Sequence, residues 1–180
     1  MHYMRGLSLI EVIAALAVIA VLAGVALPAL ADARARAQFA RAELDLGGSV
    51  LLANRIAVAS AAAVILCPAA AAGGCEAGSD WSRGWLAFAD IDGDRRFGAY
   101  DVQLQRSGGY GEDIVVVSNA GRGRAVFQPD GDSAGSNLSF VVCSRSRPRG
   151  LRLALSNGGR LRQAQVAPEQ IEACRRGSAL

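Results

Sequence analysis

Three groups of side chains in this chain could do chemistry, and their spacing says of what kind. Four cysteines stand at Cys67, Cys75, Cys143 and Cys174. They contain no C-x-x-C pair, and the single histidine, His2, lies far from all of them, so zinc and thioredoxin-like sites find little support. A periplasmic or extracellular domain would oxidise them. Four cysteines allow three pairings; proximity in sequence favours Cys67 with Cys75 and leaves Cys143 with Cys174. Four carboxylates, Asp90, Asp92, Asp94 and Asp101, fall at the first, third, fifth and twelfth places of a calcium-loop series. Glycine, however, occupies the fourth place instead of the sixth, and Arg95 holds the turn. The segment therefore reads as a solvated β-turn, and no metal is expected.

The third group is arginine. All 19 basic residues are Arg, and the net charge of +3 is unevenly spread: residues 1–65 carry +1, residues 66–144 carry −4 and residues 145–180 carry +6. The C-terminal excess points to an anionic partner. One histidine in a short leader leaves no room for histidine acid–base chemistry or a catalytic triad. With no nucleophile–base pair and no phosphate-binding loop, neither an enzyme nor a cofactor is expected.

The elements that hold these groups begin with an apolar run. From Leu7 to Ala31 only Ser8 and Glu11 are polar, and Val12–Ala31 is free of charge. As a helix rising about 1.5 Å per residue, that stretch spans about 30 Å, one crossing of a bilayer. Arg5 before it favours a cytoplasmic N-terminus, so the remainder lies outside. A secretory signal would have a shorter apolar core, and a carboxylate does not belong in it. Glu11 has two readings: a cap, since Ser8-x-x-Glu11 has the form of a capping box, or a carboxylate with a partner in the membrane.

The residues Met4-Arg5-Gly6-Leu7-Ser8-Leu9-Ile10-Glu11-Val12 resemble the type III signal of type IV pilins and pseudopilins. The resemblance implies cleavage after Gly6 by a prepilin peptidase and N-methylation of Leu7, where the family usually has Phe. It implies that Glu11 pairs with the N-terminal amine of a neighbouring subunit during assembly. Each buried charge is costly alone and less so as a pair. Pro28 matches a proline that pilins carry in this helix.

Beyond Pro28, Phe39, Ala42, Leu46, Val50, Ala53 and Ala57 recur at steps of three and four, one apolar helical face. The reading is a leader over 1–6, a membrane and assembly helix over 7–31, its amphipathic continuation over 32–60, and a head over 61–180. Gly47-Gly48, costing about 1 kcal/mol per glycine relative to alanine, marks the expected place for a kink or break. From Ala62 onward, short apolar or alternating runs separated by Gly-, Asp- and Asn-rich turns predict antiparallel strands, as a sandwich or as two small sheets. The fold class is α+β: a long N-terminal helix followed by an antiparallel β-rich head.

Leu66-Cys67-Pro68, Gly74-Cys75 and Trp81-Ser82-Arg83-Gly84-Trp85-Leu86-Ala87-Phe88-Ala89-Asp90 resemble the FimT/GspH branch of that family, with its C-P…C…W-x-x-G-W-x-x-F-x-D pattern. Trp81 and Trp85 are expected in the core. Near the C-terminus, Gly158-Gly159 suits a hairpin turn between GLRLALS and RLRQAQV. A two-residue turn sets Arg162 beside Leu155 on the apolar face; a longer turn does not. Gly159-Arg160-Leu161-Arg162 resembles the G-R-x-R motif of FimT-type minor pilins associated with DNA uptake. It implies DNA contact at Gly159, Arg160 and Arg162, by charge and without base readout. The plain alternative is a solvated basic edge that discourages strand aggregation. The expected function is that of a minor pilin contributing to DNA uptake; the alternative is a minor pseudopilin at the tip of a type II secretion machine. Expected partners are the prepilin peptidase, other pilins, DNA, and the inner membrane before assembly into a fibre.

Overall fold

A computed structural model describes residues 8–133 and 137–180. Gly6 and Leu7, the implied cleavage and methylation positions, lie outside the described residues. Two compact units are present, one reaching to Ala37 and the other comprising Gln38–Leu180.

The first element, α1, is a helix over Leu9–Ser60. At its start Glu11 N–H donates to Ser8 O at 3.0 Å, and Glu11 Oε2 accepts Ser8 N–H at 3.3 Å, one half of a capping box. Within the first unit the large side chains from Leu9 to Leu30 are exposed, and the helix is long and apolar enough to cross a membrane. Pro28 sits inside it without ending it.

Within the second unit α1 buries Phe39, Ala42, Leu46, Ser49, Val50, Ala53 and Ala57. The helix runs unbroken through Gly47 and Gly48, so the chain does not break there. The reason is packing. Leu46 and Val50 flank the pair and are essentially inaccessible, and burying each is worth about 1.5–3 kcal/mol, more than the glycines cost.

Among the described residues eight strands follow: β1 Ala63–Pro68, β2 Trp85–Asp90, β3 Val102–Arg106, β4 Ile114–Ser118, β5 Ala125–Phe127, β6 Leu138–Ser144, β7 Gly150–Leu155 and β8 Leu161–Ala164. They form two four-stranded sheets, ordered β3-β2-β1-β5 and β4-β6-β7-β8, with every pair antiparallel. Val64, Leu66, Trp85 and Ala87 from one sheet meet Val116, Phe140, Leu153 and Leu155 from the other, together with the buried face of α1. Trp81 and Trp85 are fully buried; Trp81 meets Phe140 edge-on at 5.0 Å, and Trp85 Nε1 donates to Ser49 Oγ at 2.8 Å.

The central strands read as continuous apolar runs because both of their faces are covered. Behind β1 and β2, Ile65, Leu86, Phe88 and Val126 pack with Phe97. Behind β4 and β6, Val115, Val117, Val141 and Cys143 pack with Val166 and Ile171. That second cover is a helix the sequence reading does not contain, α2, over Pro168–Arg175. Its signals were present: Pro168 in its first turn, Glu169 beside it, and Gln170, whose Oε1 accepts Ala167 N–H at 3.2 Å.

Candidate functional site

The arginine-bearing edge is built by the β7–β8 hairpin. Leu155 pairs with Leu161 and Ala154 with Arg162. The turn is therefore Ser156–Arg160, the longer alternative, and Arg162 stands beside Ala154 and away from Leu155. Along β7, Leu151, Leu153 and Leu155 are buried while Arg152 and Ala154 take the opposite face. Since directly paired residues share a face, Arg162 lies on that outer side, and it is exposed. Arg160 is the last residue of the turn, not a strand residue, and is exposed as well. Among the described residues neither guanidinium has a hydrogen bond or ion pair.

The turn itself is held firmly. Ser156 N–H donates to Arg160 O at 2.9 Å, and Arg160 N–H donates to Ser156 Oγ at 3.2 Å. Ser133, fully buried, donates its N–H to Asn157 O at 2.6 Å and offers its hydroxyl to Ser156 O at 2.8 Å. Asn54 of α1 donates to Gly131 O at 3.0 Å directly beneath the turn. Gly159 has φ +68°, and a Cβ there would stand 2.0 Å from Asn54 Nδ2 and 2.6 Å from Gly131 O. The glycine of the G-R-x-R run thus has a packing reason. Ser133 and Asn54 were not singled out by sequence reasoning, because their partners lie 24 and 77 residues away.

The other C-terminal arginines are engaged. Arg152 donates to Ser139 Oγ at 3.1 Å. Arg149 lies 5.8 Å from the centre of the Phe39 ring. Arg145 and Arg175 bond to each other's backbone carbonyls. Arg147 lies near Asp113. Burial alone would raise that carboxyl, but hydrogen bonds from Ser146 and Ser144 and the Arg147 charge hold it below the usual carboxylate range.

Among the described residues the carboxylates whose oxygens converge are Asp90, Asp92, Asp94 and Asp101, within 4.8 Å of one another. They close their own loop: Asp90 accepts the N–H groups of Gly93 and Arg95, Asp94 that of Arg96, and Asp101 those of Ile91 and Gly98. Disulfides join Cys67 to Cys75 and Cys143 to Cys174, the second tying α2 to β6.

Residues 45–159 match the family model described as type II transport protein GspH, and residues 1–27 match the prokaryotic N-terminal methylation motif. The chain belongs to the GspH family. No curated protein matches it. Its fold is similar to that of the type IV minor pilin FimU of Pseudomonas aeruginosa. In one crystal form the TM-score is 0.58 at 16% identity, covering 72% of this chain and 90% of that one. In a second form it is 0.52 at 16% identity, covering 67% and 88%. As a GspH-family chain with this fold it is a minor pilin or pseudopilin, a structural subunit. The GspH match ends at Gly159, so Arg160 and Arg162 lie beyond it.

Proposed function

We propose that this chain is a minor pilin of a type IV pilus that gives duplex DNA a non-specific backbone contact at the β7–β8 turn, contributing to DNA uptake. The observation that carries the reading is the pair of exposed guanidiniums of Arg160, ending a turn held by Ser133 and backed by Asn54, and Arg162 in the strand that follows, neither with a partner among the described residues. A positioned pair of forked cations suits neighbouring phosphates. In this reading the chain enters the inner membrane as a single-pass protein with a periplasmic head. The prepilin peptidase cuts after Gly6 and methylates Leu7, and Glu11 pairs with a neighbouring subunit's amine in the fibre. The match to the methylation motif and the apolar stretch of α1 support this route.

A second reading, a minor pseudopilin of a type II secretion machine, is favoured by the family description, which names type II transport. One titration separates the two. A soluble fragment beginning near Asp32 is expected to bind duplex DNA weakly, without sequence preference and with steep salt dependence. Arg160→Gln with Arg162→Gln is expected to flatten the slope of log K against log salt by about 1.8. Arg83→Gln, which removes a side chain already paired with Glu76, serves as the control. Unchanged affinity and slope in the double variant would leave the secretion reading in place.

A further inference from the structure

A groove of about 1160 Å³ opens in the second unit between the disulfide loop around Gly74, the turn Asp94–Phe97 and the loop Ala120–Arg124. Four arginines line it: Arg95, Arg96, Arg122 and Arg124. Its acids are Glu76 and Asp94. Glu76 is ion-paired with Arg83, and Asp94 accepts the Arg96 N–H at 2.6 Å. Residues 66–144 are acidic overall, with ten acids against six arginines, yet folding gathers four of those six arginines around one cavity.

The groove is built, not a gap between loose loops. Arg124 donates to Arg95 O at 2.8 Å and so joins two of the loops. Gly123 meets Gly78 backbone to backbone, with 2.7 Å between a notional Cβ and Gly78 O. Phe97, edge-on to Phe88 at 5.3 Å, and Val126 add apolar surface to the lining. The loop Ala120–Arg124 follows β4, the edge strand opposite β8 in its sheet. The groove and the Arg160–Arg162 turn therefore belong to opposite edges.

We propose that this groove binds an acidic segment of a partner protein, its carboxylates gripped by the arginines and an apolar side chain set against Phe97 and Val126. Charge complementarity selects the acidic partner, since guanidinium forks match carboxylates bidentately. The concave shape and the apolar patch at Phe97 select a peptide. A duplex is convex; it would meet only the rim and leave Phe97 uncovered. The inference stands independently of DNA binding at Arg160 and Arg162.

The test uses the full chain in detergent micelles and a labelled peptide of repeated Asp-Glu-Phe units, with the Asn-Gln-Phe counterpart as control. The acidic peptide is expected to bind at least about tenfold more tightly than the control at low salt. Arg95→Asn with Arg96→Gln is expected to weaken it by about tenfold or more. Asn tolerates the φ of +60° at position 95, and neither arginine side chain makes a hydrogen bond among the described residues, so the fold is kept. Arg122→Gln gives a second loss from another loop, while Arg160→Gln with Arg162→Gln leaves peptide binding unchanged. Equal binding of both peptides, or wild-type affinity in either groove variant, overturns the proposal. So does duplex DNA that binds through Arg95 and Arg96, or inorganic sulfate that binds there while the peptide does not.

Discussion

Gly159 and Asn54, 105 positions apart in sequence, are packed so closely that a single added methyl group would overlap the Asn54 amide. The contact joins the arginine-bearing turn to the helix α1 through the same asparagine that bonds Gly131. It makes the position of Arg160 and Arg162 a property of the head's packing, not of the hairpin alone.

Gly159→Ala is therefore expected to cost about 2–4 kcal/mol, from the left-handed backbone and the overlap together. Asn54→Ala in the same chain is expected to recover only part of it, because the Gly131 carbonyl oxygen still stands 2.6 Å from the new Cβ. Denaturant unfolding of the single and double variants measures both numbers. Full recovery would show that the backbone contact carries no weight.

The two disulfides are expected to contribute unequally. Cys143–Cys174 spans 31 positions and Cys67–Cys75 spans 8. In the chain-entropy account the longer loop is worth about 4 kcal/mol and the shorter about 2–3. Replacing each pair by serine and comparing unfolding midpoints tests the order. Losing Cys174 also frees α2 from the face of Val115 and Val141 that it covers, so increased amide exchange in β4 and β6 is expected only for that variant.

Tyr110 donates its hydroxyl proton to Asp45 Oδ2 at 2.6 Å, fastening the loop after β3 to α1. Burial, then that hydrogen bond, pushes the phenol from 10.0 up to about 12. The folded chain keeps a proton that the unfolded chain releases near 10.0. Stability from this group is full below pH 10 and is lost as pH rises towards 12. Tyr110→Phe is expected to remove that share of the alkaline loss while costing about 1 kcal/mol at neutral pH. Chemical denaturation at a series of alkaline pH values, wild type against variant, reads both effects.

Maturation and assembly separate at two residues. Substitution of Gly6 by a bulky residue is expected to leave uncut precursor in the membrane. Glu11→Ala is expected to be cut normally yet enter fibres poorly. Mass spectrometry of the N-terminus together with fibre fractionation distinguishes them. A mature chain beginning near Asp32 would contradict both expectations.

Local pattern was enough for much of this protein. The uninterrupted apolar run after Arg5, the three-and-four spacing from Phe39 to Ala57, and eight apolar runs between Gly- and Asp-rich turns are short-range signals, and each is written within a few residues. Long-range contact decided the rest. Gly47-Gly48 stays helical because Leu46 and Val50 are buried against strands distant in sequence. The turn before β8 has five residues because Leu155 and Leu161 pair beside the core, which turns Arg162 outward. The six arginines from Arg145 to Arg162 look alike in sequence, but Ser139, Phe39, Asp113 and the Arg175 carbonyl occupy four of them and leave Arg160 and Arg162 without a side-chain partner among the described residues. A stretch of net charge −4 yields an arginine-lined groove for the same reason. Charge counted along a chain is an average, whereas a surface is set by which loops the buried strands carry together.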